Sequence, residues 1–367
     1  MTPPPAHIEH RDLPLDALRG IALLAVCLFH SNLLLGGWLG VDLFFVISGL
    51  WITRKLTSSE QRLTVFAVRR ATRLLPALTV LLVAWLLTTT WTTNPLTAAW
   101  TVTDTGEPLP AAAVPVVAGA GITNWWMFTG QPWPDALGHL WSLAVEWQFY
   151  LAAPLLLWML LRTRSARARI AALVSVAVGC AMLNTILILP EFGIAAAYLS
   201  TGGRVPALLA GVTVALILAT RRPQQFPDPV SAGPRPWWVA PAVGAWVCLV
   251  IAAPQNTLGV AVAIPVAALL SGVLVWTAAT HTTFAGSVTK STAGVFAWLG
   301  KRSYAAYLWN LPIVVAADAL LVEMNPISRA GIALTLTVII AAISWHLMER
   351  PIARWVQRRT TPTPHSA

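Results

Sequence analysis

His30 places an imidazole inside the apolar run 18–35, LRGIALLAVCLFHSNLLL. An ionisable side chain at membrane depth is costly, so it faces protein or a water-filled cavity and marks a functional path. An imidazole titrates near neutrality and can take and return a proton, which suits it to general-base work. Arg19 lies eleven residues upstream. On a helix that spacing leaves the two side chains about 20° apart in rotation and about 16 Å apart along the axis, so they share one face. Asp42 follows the glycine pair Gly36 and Gly37. A carboxylate there can hold the imidazole tautomer and stabilise the imidazolium. Glu146 belongs to a stripe His139, Ser142, Glu146 and Tyr150, spaced by three, four and four on one helical face. An acid at that depth needs a partner or a proton. Ser303, Tyr307 and Asn310 form a similar stripe. A lone Ser, Tyr or Asn in a span is often interhelical glue, so Ser142 and Asn310 have a structural reading beside the functional one. His139 is placed near the outer end of its span, where it reads as an interfacial residue.

The elements that carry these residues are membrane spans. The chain has 367 residues, 57% of them hydrophobic and only 10% charged, against about 25% charged in soluble domains. A spanning helix needs about 20 apolar residues. Ten stretches qualify: 18–35, 40–56, 74–91, 139–161, 170–189, 203–220, 237–254, 258–279, 294–316 and 330–348. The stretch 111–128, broken by Pro115, Gly119 and Gly121, reads as re-entrant or interfacial. The expected fold is therefore all-α, a polytopic integral membrane protein with about ten transmembrane helices.

The charges orient it. With the N-terminus inside and ten spans, 22 of the 24 Lys and Arg residues fall on the cytoplasmic side, and only Arg204 and Arg329 fall outside. So lopsided a split is the positive-inside pattern. Both termini are then cytoplasmic, and the net charge of +10 is topogenic. It does not point to nucleic acid, for which no motif is present. Residues 1–17 form a cytoplasmic segment, 18–350 the membrane domain, and 351–367 a cytoplasmic tail expected to lack fixed structure. The first span has no small-x-small cleavage site and reads as a retained helix. Cys27, Cys180 and Cys248 all lie in apolar spans and read as small core residues.

Two regions leave alternatives open. Arg69, Arg70 and Arg73 sit on an inside helix, LTVFAVRRATRLLPAL. They are either a topogenic patch for lipid headgroups or a receptor for a polyanionic cytosolic ligand, since guanidinium forks pair with phosphates. The outer loop 92–136 has no Lys or Arg and carries Trp100, Trp125, Trp126 and Trp133. Most read as interfacial belt residues, with a sugar-binding role open for Trp125 and Trp126. Residues 221–236 are a Pro-rich inside linker.

Together these pieces resemble the acyltransferase-3 family, integral membrane enzymes that O-acylate surface glycans, lipids and some antibiotics. The opening LDALRGIALLAVCLFH carries an Arg-x10-His pattern at Arg19 and His30. GGWLGVDLFFVISGLWIT, RATR, HLWSLAVEWQFYLAAPLLL, GKRSYAAYLWNLPI and HLMERPI follow in family order. Two positions depart from it: Trp147 stands where a second glutamate is common, and Asn310 where many members have histidine.

The resemblance implies transfer of an acyl group, an acetyl group in the simplest case, from acyl-CoA to a hydroxyl, at a bacterial plasma membrane. It implies no metal and no bound cofactor, with acetyl-CoA a co-substrate. His30, Asp42 and Glu146 would be catalytic. Arg19, Arg69, Arg70 and Arg73 would bind acyl-CoA. Tyr150, Trp125, Trp126 and Asn310 would contact the acceptor, a cell-envelope carbohydrate or glycolipid. An acceptor that is a secondary metabolite such as a macrolide remains open within the class. A proton-coupled transporter or flippase is the rival of another class, because intramembrane His, Asp and Glu also build proton relays.

Overall fold

The computed structural model describes residues 13–57, 63–91, 94–103, 111–220, 237–280 and 290–360. Residues 1–12 of the expected N-terminal segment, the linker 221–236 and the end of the tail, 361–367, lie outside the described residues. The described residues are helical almost throughout and contain no strand, only an isolated bridge between Thr103 and Pro134.

The long helices are α1 Leu13–His30, α2 Gly40–Thr57, α3 Leu63–Trp91, α4 Leu140–Arg162, α5 Ala166–Leu183, α6 Thr201–Thr220, α7 Val239–Ala252, α8 Ile264–Thr280, α9 Ser303–Leu320, α10 Pro326–Ser344 and α11 Arg350–Thr360. By length and composition, 7 helices among the described residues can cross a membrane. Each of the ten expected stretches is helical, but three fall short of that measure for visible reasons. The second carries Asp42, Arg54 and Lys55. The seventh is 14 residues long. The ninth carries Ser303, Tyr304, Tyr307 and Asn310. The exposed side chains of α4 include Leu151, Leu155, Trp158 and Met159, an outward apolar face that suits lipid.

Two glycine crossings bring the site-bearing helices together. A Cβ on Gly49 of α2 would strike the Leu208 carbonyl of α6, and one on Gly211 would strike the Val46 carbonyl. Close approach of backbones at small residues drives helix association in lipid. On the other side of α1, Gly20 abuts Phe296 and Gly300 abuts Asp16, joining α1 to the helix Lys290–Lys301. Between α1 and α2 the chain turns through Gly36, whose N–H donates to the Val250 carbonyl at 3.0 Å.

Two expectations are corrected. The stretch 351–360, expected in an unstructured tail, continues as α11. Its Val356 is buried, while Trp355, Arg354 and Arg358 stand outward. One apolar stripe docked on the bundle is enough to order a helix of this length. Trp100 and Trp133, expected in an interfacial belt, are buried at 7% and 1% exposure. The Trp100 indole donates to the Pro312 carbonyl and that of Trp133 to the Leu137 carbonyl. The outer loop therefore packs onto α3, α4 and α9 in one shared core, and its indoles satisfy backbone acceptors.

Candidate active site

His30 ends α1, and Asn310 lies midway along α9. His30 Nδ1 and Asn310 Oδ1 are 2.8 Å apart. An amide oxygen only accepts, so in the neutral imidazole Nδ1 carries the proton and Nε2 keeps its lone pair. The amide's orientation is itself set by its neighbours. Its Nδ2 donates to Thr337 Oγ1 at 3.4 Å, a long bond, and the Thr337 hydroxyl donates to the Ala333 carbonyl at 2.7 Å. Asn310, expected to contact an acceptor molecule, is thus the residue that orients the imidazole.

Asp42 does not take that part. It is fully buried against Arg204, whose Nη1 donates to both carboxylate oxygens at 3.1 and 3.0 Å. Arg204 Nε donates to the Tyr198 carbonyl, and the guanidinium stands over the rings of Tyr198 and Trp141 at 4.4 and 4.9 Å. The sequence offered Asp42 as the partner of His30, because the two are close in the chain. Arg204 claims it, because a lone cation buried in a span needs an acid. The charge count reads Arg204 only as one of two cations on the outside. Its place in an apolar stretch was the available signal.

His30 lines a cavity of about 490 Å³ with Phe29, Trp38, His139, Trp141, Tyr198 and Tyr307. On the charge-derived orientation this is the outer side. His139, expected at an interface, is 3% exposed and is a wall of this cavity. The hydroxyls of Tyr307 and Ser142 both reach its carbonyl, at 3.0 and 3.1 Å, and fix that end of α4.

A second cavity of about 590 Å³ lies on the other side of Val41 and Tyr307, which line both. Here the structure gathers Arg19, Arg69, Arg70 and Arg73, together with Lys55 and Lys301. Against these six cations stand three carboxylates, Asp16, Glu146 and Glu349. Arg19 Nε is buried in this wall with no hydrogen-bond partner. Arg70 stands over the Tyr150 ring at 5.0 Å. Arg19 and His30 therefore face two different cavities along one helix.

Glu146 and Tyr150 also line the cationic cavity, not that of His30. Glu146 Oε1 accepts from the Ser48 hydroxyl. Trp125 and Trp126 line neither cavity. Their indoles donate to Gln148 Oε1 and to the Pro132 carbonyl. Gln148 also takes the Thr201 hydroxyl at 2.7 Å and donates to Asn124 Oδ1 and the Gly121 carbonyl. It ties the outer loop to α4 and α6. The sequence showed Gln148 only as part of a motif, with no sign of this work.

A family model described as an acyltransferase domain matches residues 13–346. Among curated proteins, the chain is similar to YrhL of Bacillus subtilis (strain 168), provisionally named a peptidoglycan O-acetyltransferase. The two are 28% identical over 364 residues, covering 94% of this chain and 55% of that one. It is 27% identical over 363 residues to the peptidoglycan O-acetyltransferase OatA of Listeria monocytogenes serovar 1/2a (strain ATCC BAA-679 / EGD-e), covering 93% and 55%. A provisionally named O-acetyltransferase of Staphylococcus aureus (strain COL) is 28% identical over 368 residues, covering 93% and 57%. The chain spans about half the length of these relatives. No solved structure matches it significantly.

Proposed function

Because the chain belongs to the acyltransferase domain family and is a multi-pass membrane protein, we propose that it moves an acetyl group from acetyl-CoA to a hydroxyl of a cell-envelope carbohydrate, with His30 as general base. The names of its relatives support O-acetylation and a peptidoglycan-like acceptor. The observation that carries the reading is the bond to Asn310 Oδ1 made by Nδ1 of His30, which lines one cavity, while the next cavity is lined by six cations.

The two cavities suit the two substrates. Coenzyme A is a cytosolic polyanion, and guanidinium groups pair with its phosphates. A volume of about 590 Å³ is in the range of small-molecule sites, about 300–1,000 Å³. An alcohol is a weak nucleophile at its free pKa and needs a base within hydrogen-bond reach. His30 Nε2, left without its proton by the bond at Nδ1, is that base. The acceptor O–H proton passes to Nε2 as the oxygen adds to the thioester carbonyl. The tetrahedral intermediate then expels the thiolate, which takes the proton from His30.

The test is acetyl transfer by the purified full chain and by His30→Ala. Loss of transfer in a variant that melts like the wild type is expected. Transfer at the wild-type rate would remove His30 from the reaction.

A further inference from the structure

Gln255 belongs to none of the motifs that carry the family resemblance, yet its side chain lines the His30 cavity. It lies in the connector between α7 and the helical turn Gly259–Ala263 that leads into α8. On the charge-derived orientation this is the outer side, from which an envelope acceptor comes. The connector is held at both ends. The Trp38 indole donates to the Ala253 carbonyl at 3.1 Å, and just before it the Gly36 N–H donates to the Val250 carbonyl. Asn256 Oδ1 accepts from the Gly259 N–H at 2.9 Å, and a Cβ on Gly259 would strike the Pro254 carbonyl. A polar group presented by a fixed backbone holds a ligand at a lower entropic cost.

The rest of the cavity wall is largely aromatic, and several of its polar atoms are already spent. The Trp38 indole is taken by the Ala253 carbonyl, the Tyr307 hydroxyl reaches the His139 carbonyl, and the His139 ring nitrogens have no accessible surface. Gln255 is different. It is exposed, and its amide faces the hydroxyl of the half-buried Tyr198. That ring is itself fixed, edge-on to Trp141 at 4.9 Å and under the Arg204 guanidinium at 4.4 Å. Small-molecule sites set a ligand's orientation with a few placed polar groups on apolar walls. His30 Nε2 serves the hydroxyl that reacts. The Gln255 amide offers one acceptor oxygen and two N–H donors to a group that does not react.

We propose that the Gln255 side-chain oxygen accepts a hydrogen bond from a second hydroxyl of the acceptor, and that this contact selects polyhydroxylated acceptors over simple alcohols. This rests on the acyl-transfer reading above. Gln255 takes no part in the proton transfer. It sets which oxygen of a bound polyol meets His30 Nε2. An alcohol with a single hydroxyl cannot satisfy the amide and the base together. The amide is open to water, so the discrimination is that of one neutral hydrogen bond, about tenfold at most.

Two alcohols of equal chain length test it. Glycerol and propan-1-ol share three carbons and a terminal hydroxyl, and only glycerol carries others. Ester formation from each is followed by mass spectrometry with purified full chain in lipid nanodiscs at saturating acetyl-CoA. The quantity read is the ratio of the two kcat/KM values. The wild type should favour glycerol by about tenfold. Gln255→Leu should bring glycerol down to the level of propan-1-ol, leaving the propan-1-ol rate and the acetyl-CoA KM within about twofold of the wild type. Gln255→Glu keeps an acceptor oxygen at the same reach and should retain the preference. The residue is exposed, so both variants should melt like the wild type. A leucine variant with the wild-type ratio overturns the proposal, whether its two rates are kept or fall together. So does a wild type that uses both alcohols equally. A wild type that forms no ester from either alcohol removes the acyl-transfer reading and this inference with it. Transfer to both alcohols that is lost in His30→Ala, with a ratio indifferent to Gln255, removes this inference alone.

Discussion

Asn310 Oδ1 meets His30 Nδ1 at 2.8 Å, joining residues 280 positions apart in the chain. The contact is neutral. Asn310 sets the tautomer and the ring's direction but cannot offset the charge of an imidazolium, as a carboxylate would. Asn310→Leu should therefore leave the protein folded and lower the acetyl-transfer rate by about 10–10²-fold, within the 10²–10⁴-fold that a general base contributes. Asn310→Asp restores an acceptor and adds a charge, and should retain more activity than the leucine variant. The rates of both, with acetyl-CoA saturating, are the measurement. A leucine variant as fast as the wild type would leave His30 without need of this partner.

The pairing of Asp42 with Arg204 makes a different claim, about stability. Both side chains are fully buried, and removing one partner of a buried pair typically costs about 3–5 kcal/mol because a charge is left uncompensated. Asp42→Ala should lower the melting temperature sharply and reduce the yield of folded protein. The double variant Asp42→Leu/Arg204→Met, which removes both charges, should recover most of that loss. Thermal melts of the wild type, Asp42→Leu, Arg204→Met and the double variant in one detergent form the cycle. A single Asp42→Ala variant that melts like the wild type but transfers nothing would return Asp42 to the chemistry.

These outcomes bear on what sequence can reveal. The all-α membrane fold was legible because apolar length and the side taken by Lys and Arg are local properties of the chain. His30 was legible for the same reason: its cost in a span does not depend on its neighbours. The arginines were legible as a group because Arg69, Arg70 and Arg73 share one helix. Partnerships were not. Which acid serves which base depends on how α1, α2, α6 and α9 cross, and the crossings rest on single glycines such as Gly49 and Gly211. Asp42 was assigned to His30 by nearness in sequence, while α6 brought Arg204 to it. Glu146 reads as catalytic and Tyr150 as an acceptor contact, yet both line the cationic cavity, and of their stripe only His139, at its outer end, lines the His30 cavity.

The cationic cavity predicts a donor effect. Arg70 and Arg73 line it, and Arg70 also covers the Tyr150 ring. The double variant Arg70→Ala/Arg73→Ala should weaken acetyl-CoA binding by about 10–10²-fold, at 1.4 kcal/mol for each factor of ten. Arg70→Lys should recover only part, because an ammonium lacks the planar fork and stacks less well on an aromatic face. Binding of acetyl-CoA by calorimetry, at two salt concentrations, is the check, with a smaller salt dependence expected for the alanine variant. Unchanged affinity would leave these arginines with topology alone.

Glu146 supplies the last prediction. It lines the cationic cavity and accepts from Ser48 Oγ, so its carboxylate sits among cations and not beside the His30 imidazole. Glu146→Gln keeps the shape and the bond from Ser48 while removing one of three negative charges from that wall. Opposed charges near a ligand site govern its encounter with a polyanion, so acetyl-CoA should bind as tightly as in the wild type or tighter, by about threefold at low salt. The acceptor KM should not move. A raised acceptor KM with unchanged acetyl-CoA affinity would instead place Glu146 against the hydroxyl substrate. A fall in kcat with both binding constants intact would show that the carboxylate acts on the reacting thioester from the donor side.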